Sequence, residues 1–120
     1  MEEYKIKFYI NSKTNKVELI KYLDNLQLKI RLKILKYIEY LRTNNGYLDE
    51  PYTKHIINKI KELRIDFGKE KHRIFFFTMI GKKIILLHAF KKDTGKTPTA
   101  EINIAIKNYN DVLNNPHLYD

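Results

Sequence analysis

Three apolar runs separated by short glycine-containing connections constrain this chain more than any other feature. Lys61–Phe67 is followed by Gly68-Lys69-Glu70-Lys71, then His72–Ile80, then Gly81-Lys82, then Lys83–Phe90. Runs of this length, rich in Ile and Phe and joined so tightly, predict an antiparallel meander. The meander also carries Arg64, Arg73, His88, Lys91 and Lys92, and Arg64 and Arg73 are two of the four arginines in the sequence. A cation placed inside a strand is fixed in position, which is what phosphate chemistry needs.

Charge points the same way. The chain has 120 residues, 43% of them hydrophobic, and a formal net charge of +9. That length and apolar content predict a single domain with one modest core. Residues 51–98 hold twelve basic groups against four acidic ones, residues 1–50 ten against seven, and residues 99–120 one against three. The excess therefore sits on the meander and its approach, which implies a binding face for an anionic partner. Cysteine is absent, so disulfides and thiolate metal sites are excluded, in keeping with a reducing cytoplasm. The start Met1-Glu2-Glu3-Tyr4-Lys5 lacks the pattern of a signal peptide, and no apolar run reaches membrane-spanning length. A soluble, cytoplasmic protein without membrane contact is expected.

Along the chain, Ile6, Phe8 and Ile10 alternate with Lys5, Lys7 and Tyr9, which predicts a half-buried strand over Tyr4–Ile10. A first helix is expected over about 16–24 with Val17, Ile20 and Leu23 inward. A second is expected over about 28–43, with Leu28, Ile34, Leu35, Ile38 and Leu41 at helical spacing and Lys29, Lys33 and Lys36 in solvent. Gly46 suits a left-handed cap after it, and Thr53–Asn58 reads as a short helical turn. After the meander, Thr97 is placed to cap a last helix with Pro98 at its first position. Ile102, Ala105, Ile106, Tyr109, Val112 and Leu113 form its stripe, and the residues from Asn114 on read as a tail. The order is β-α-α-β-β-β-α, an α+β domain with helices against one face of a small, mainly antiparallel sheet.

Strict period-two alternation sorts the meander into two faces. Leu63, Ile65, Ile74, Phe76, Ile85 and Leu87 are expected to pack on helices. The opposite face collects Arg64, Arg73 and His88 with Phe75, Phe77 and Phe90, and no predicted helix covers it. Cations there would contact phosphates while rings stack bases. The alternative buries Phe75 and Phe77 beneath a helix; the combination of two arginines and a histidine with aromatics favours the functional reading. Lys54 upstream and Lys96 downstream extend the basic surface. In an antiparallel pair, residues 73 and 91 approach each other across the Gly81 turn. Gly95-Lys96-Thr97 lacks the spacing of a phosphate-binding loop. His55, His72, His88 and His117 lack metal-ligand spacing, so neither metal nor cofactor is expected.

The segments Glu62-Leu63-Arg64-Ile65, His72-Arg73-Ile74-Phe75-Phe76, Ile85–Lys92 and Thr97-Pro98, with Glu101 and Ala105 after them, resemble the RelE/ParE superfamily of toxins, nearest to its phage-derived HigB-like branch. The resemblance covers roughly residues 56–113 and implies one toxin domain over 1–120, with its core at about 4–113. It implies a toxin of a type II toxin–antitoxin pair that cleaves mRNA on the ribosome, halts growth, and is neutralised by a cognate antitoxin, a small helix-turn-helix protein. ParE relatives instead inhibit DNA gyrase by binding it, which is the alternative function. The family's arginines fall on Arg64 and Arg73, and its F-x-K-K element on Phe90, Lys91 and Lys92. Some relatives carry a tyrosine at the start of the last helix, where this chain reads Thr97-Pro98-Thr99.

Cleavage of this kind has the 2′-OH attack the adjacent phosphate while the 5′-oxygen leaves. It needs a base, an acid and stabilisation of the phosphorane charge. Arg64 and Arg73 suit the charge, since guanidinium does not give up its proton. His88, or a lysine among Lys91 and Lys92 with its pKa lowered by crowding, suits the proton transfers. The expected catalytic set is thus Arg64, Arg73, His88, Lys91 and Lys92, with Lys54, Phe75, Phe77, Phe90 and Lys96 binding RNA.

Overall fold

In the computed structural model, which describes residues 3–93 and 95–120, the elements follow in the order β1 (Lys5–Phe8), α1 (Glu18–Asp24), α2 (Leu28–Thr43), β2 (Thr53–Ile57), β3 (Ile60–Phe67), β4 (Glu70–Met79), β5 (Lys83–Lys92), α3 (Thr99–Asn114) and a 3-10 helix over Pro116–Tyr119. The class is α+β. Five strands form a mixed sheet in the order β1-β5-β4-β3-β2, with β1 parallel to β5 and every other pair antiparallel. The meander is present, but the element order is not the expected one. Thr53–Asn58, read as a helical turn, gives a fourth consecutive strand. Asn58 takes a positive φ of 51° and folds β2 back on β3, setting Lys54 opposite Glu62. Three β-branched residues, Thr53, Ile56 and Ile57, and a tight turn outweigh weak helical periodicity there.

Helices cover both faces of the sheet, which corrects the one-sided packing expected from the sequence. On one face Leu19 and Leu23 of α1 and Ile30, Ile34, Ile38 and Leu41 of α2 meet Leu63, Ile65, Ile74, Phe76, Ile84 and Leu86. On the other, Ala105 and Val112 of α3 and Tyr119 meet Ile60, Phe75, Phe77, Ile85, Leu87 and Phe90. The reason lies in β4, where Ile74, Phe75, Phe76 and Phe77 are all buried. A strand apolar on both sides needs cover on both sides. Each buried ring is worth roughly 1.5–3 kcal/mol of transfer free energy.

Several inward assignments shift with this. Leu19 replaces Ile20 on the inner side of α1, and Leu28 and Leu35 of α2 face solvent at 58% and 41% exposure. The supposed tail is anchored: the Tyr119 hydroxyl accepts from the Ile10 amide at 2.9 Å and donates to the Ile10 carbonyl at 3.2 Å. Asp111 of α3 ties the same corner, accepting from Tyr9 at 2.7 Å and from the Ser12 amide at 3.0 Å.

Alternation in β5 is broken by a bulge. Phe75 pairs with His88 but Phe76 pairs with Leu86, leaving Leu87 as an extra residue. Leu87 and His88 therefore share the α3 face, while Ile84, Leu86 and Ala89 lie on the other. That reverses the faces expected for Ile84 to Leu87 and keeps those of His88 and Phe90. It also moves the register by one residue, so Arg73 pairs with Phe90 and His72 with Lys91. At the end of α2, Gly46 has φ 80° and its amide bonds the Leu41 carbonyl at 2.8 Å, closing the helix as its sequence position predicted. Among the described residues no helix is long and apolar enough to cross a membrane.

Candidate nucleic-acid interface and active site

The basic residues gather where α3 begins. Ala105 and Val112 of α3 pack against the apolar part of this sheet face, and the basic residues stand toward the Gly68 end of the strands. They are Arg64 of β3, Arg73 directly opposite it on β4, and Lys92 of β5, which pairs with Lys71. Period-two geometry puts these side chains on one side.

Glu62 organises the set. Its side chain is wholly buried, on the same face of β3 as Arg64. Its Oε1 accepts from Arg64 Nε at 3.2 Å and lies 3.9 Å from Arg73 Nε, while its Oε2 accepts from Thr97 Oγ1 at 2.8 Å. Thr97 is thus a ligand of Glu62 and does not cap α3, whose cap position is Pro98 with no side-chain bond. One buried carboxylate holds two arginines that would otherwise repel each other. Isolated buried charge is very costly, so this pairing is needed for the strands to close.

Arg73 is the more constrained arginine. Its side chain is 6% exposed; Nη1 donates to Asp66 at 2.8 Å and to the His72 carbonyl at 3.0 Å. Among the described residues its buried Nε has no hydrogen-bond partner. Arg64 is more open, with 27% side-chain exposure. The Arg73 guanidinium holds Asp66 below the usual carboxylate range despite some burial. Lys92 is nearly buried, and its ammonium is shifted below the usual lysine range, first by desolvation and then by repulsion from Arg73, with Glu62 opposing. Such a lysine is a better proton donor and acceptor near neutral pH than an exposed one.

His88 sits beside this group on the α3 side. Its ring stacks on Phe75 at 6.3 Å and Phe90 at 6.0 Å between centroids, and its Nε2 bonds Glu101 in the first turn of α3. One edge is accessible: a cavity of about 530 Å³ beyond the end of β1 is lined by Tyr22, His88 and Asn108.

The remaining expected site residues are placed unevenly. Lys54 is exposed on β2 opposite Glu62, in the same cross-strand row, and Lys96 is exposed in the loop before α3. Phe75, Phe77 and Phe90 are buried under α3, so they form a core and not an open stacking surface. Phe77 packs edge-to-face on Tyr109 at 4.7 Å. Lys91 falls on the opposite face, paired with His72 and 3.6 Å from Glu70. It does not join Arg73, because the bulge and turn shift the register by one. The buried His72 on that face contacts the Tyr22 hydroxyl through Nδ1 and Glu70 through Nε2 at 3.2 Å. Sequence reading overlooked Glu62 and Thr97 as partners. An acidic residue alternating with arginine on one strand face was the available signal for Glu62.

The family profile described as Phage derived protein Gp49-like (DUF891) matches residues 21–110, three quarters of the chain. The chain belongs to that family, a RelE-like family associated with the toxins of toxin–antitoxin pairs. No curated protein matches the sequence.

Proposed function

We propose that this Gp49-like protein is the toxin of a type II toxin–antitoxin pair and cleaves mRNA on the ribosome. The observation that carries the reading is the pair of cross-strand arginines held by buried Glu62 beside a desolvated Lys92. Fixed donors of this kind cost no reorganisation as charge develops, which is the source of most electrostatic catalysis.

In this reading the scissile phosphate lies against Arg64 and the exposed edge of Arg73. The 2′-oxygen attacks phosphorus, its proton passes to a base, and the 5′-oxygen leaves with a proton from an acid, giving a 2′,3′-cyclic phosphate and a 5′-hydroxyl. Arg64 and Arg73 stabilise the phosphorane. Lys92 and His88 are the proton-transfer groups, His88 being oriented by Glu101. Lys54 and Lys96 hold flanking phosphates, and Lys91 lies on the far face as a contact to ribosomal or messenger backbone. The partners are translated mRNA and a cognate helix-turn-helix antitoxin, in the cytoplasm, with the whole chain acting as one toxin domain. Neither metal nor cofactor takes part in the proposed steps.

Inducible expression followed by primer extension on translated messages tests this: growth arrest with new ends inside codons supports it. A second reading, a protein-binding inhibitor of a DNA topoisomerase, is favoured by the exposed Leu28, Leu32 and Leu35 on one side of α2, a surface suited to protein contact. Arrest with a DNA-damage response and intact messages would select that reading instead.

A further inference from the structure

Next to the arginine pair, on the outer edge of the sheet, is a cleft that the cleavage chemistry does not use. β2 pairs with β3 only as far as Leu63, and the last strand-like bond runs from the Arg64 amide to the Tyr52 carbonyl at 2.8 Å. Beyond it the edge of β3 is open. Pro51 and Tyr52, Lys33 and Tyr37 of α2, and Arg64, Asp66 and Arg73 enclose about 220 Å³ there. The volume is below the roughly 300 Å³ at which pockets for whole small molecules begin. It suits one planar ring with an attached anion.

The walls have the chemistry for that ligand. Tyr52 is 49% exposed, and its ring is held edge-to-face by Tyr37 at 6.2 Å between centroids and 63°. Lys33 lies over the rings of Tyr37 and Phe67 and donates to the Asp66 carbonyl, which fixes its ammonium at the cleft. Three cations therefore line the space against one carboxylate, and Asp66 is already committed to Arg73 at 2.8 Å. An aromatic wall among fixed cations is the arrangement that takes a stacked base and its phosphate from a single strand.

We infer that this cleft binds one nucleobase and the adjoining phosphate of single-stranded RNA, next to the phosphate that is cleaved. The inference rests on the proposed RNA cleavage and adds where the flanking nucleotide goes. Arg64 faces both places, so a strand seated in the cleft is handed directly to the arginine pair. Tyr52 is then a positioning residue that sets which linkage reaches Arg64.

The test is fluorescence anisotropy with a labelled, fully 2′-O-methylated hexaribonucleotide, which binds but cannot be cleaved, and the same probe with one abasic position. Tyr52→Ala is expected to weaken binding about tenfold, Tyr52→Phe to keep it, and Ile80→Ala at the distant turn to leave it unchanged. The salt slope should stay the same in Tyr52→Ala and fall by about one phosphate contact in Lys33→Ala. With wild-type protein, moving the abasic position along the probe should reveal one site with the same tenfold loss, a result independent of any variant's folding. If Tyr52→Ala and every abasic probe bind like the parents while Arg64→Ala loses affinity, the cleft is empty and the cleavage reading survives. If wild-type protein binds no probe, and messages stay intact in cells, both readings fall.

Discussion

Glu62 Oε1 accepts a hydrogen bond from Arg64 Nε at 3.2 Å although Glu62 is wholly buried and Arg64 reaches solvent. The carboxylate fixes the Arg64 guanidinium through Nε while the arginine side chain keeps 27% exposure. Arg73 approaches the same oxygen at 3.9 Å from the next strand. The site is therefore a buried acid with a basic rim, and removing the acid should matter as much as removing the rim.

Replacing Glu62 by Ala leaves Arg64 and Arg73 opposed without a shared counter-ion and deprives Thr97 of its acceptor. A loss of about 3–5 kcal/mol is expected from breaking a buried ion pair on one side. Glu62→Gln keeps the shape and the Thr97 bond and should cost less. Urea denaturation midpoints at constant m-value will rank the two; equal stability of Glu62→Ala and wild type would show that the acid has no structural role.

Gly46 gives a prediction about the scaffold. Its φ of 80° disfavours any side chain, and a Cβ there would stand 2.7 Å from Thr78 Oγ1 of β4. Gly46→Ala should lower stability by about 1–3 kcal/mol through strain and clash together. Pairing it with Thr78→Ala separates the two causes, since only the clash is relieved in the double variant.

Much of the fold could be read from the chain because local signals agreed. Isolated glycines between β-rich runs located β3, β4 and β5, and the 3.6-residue spacing located α2 and α3. What could not be read depended on non-local facts. The bulge at Leu87 is invisible to alternation, and together with the turn it sets Phe90, not Lys91, opposite Arg73. Phe75 and Phe77 read as a stacking surface only while α3 was assumed to lie elsewhere. Glu62 reads as one more solvent-facing strand residue until Thr97, 35 residues away, is brought against it.

His72 sets a pH dependence. Burial lowers its pKa below the ordinary 6.5, outweighing Glu70, with Lys91 and Arg73 adding to the lowering and Tyr22 bonded to its ring. The unfolded chain therefore takes up this proton first. Stability should be level above about pH 6.5 and decline below it, by at most about 1.4 kcal/mol per pH unit from this one group. The depressed carboxylates Asp66, Glu39 and Asp111 lose their contributions only at more acid pH. Thermal melts from pH 7.5 to pH 5.5 should show the decline, and His72→Gln should flatten it. An unchanged slope in that variant would assign the decline to other groups.

In the proposed RNA cleavage, Arg64 supplies preorganised charge to the phosphate. Arg64→Ala should lose less stability than Glu62→Ala, because the arginine reaches solvent and Glu62 keeps Thr97 and the Arg73 ion pair. Arg73→Ala is the poorer probe, since its burial and its bond to Asp66 mix folding with function. The deciding measurement is the single-turnover rate of message cleavage on programmed ribosomes for Arg64→Ala beside wild type. A fall of about a hundredfold or more is expected, with only partial recovery in Arg64→Lys, whose ammonium lacks the guanidinium fork. A folded Arg64→Ala protein that cleaves at the wild-type rate would contradict that role.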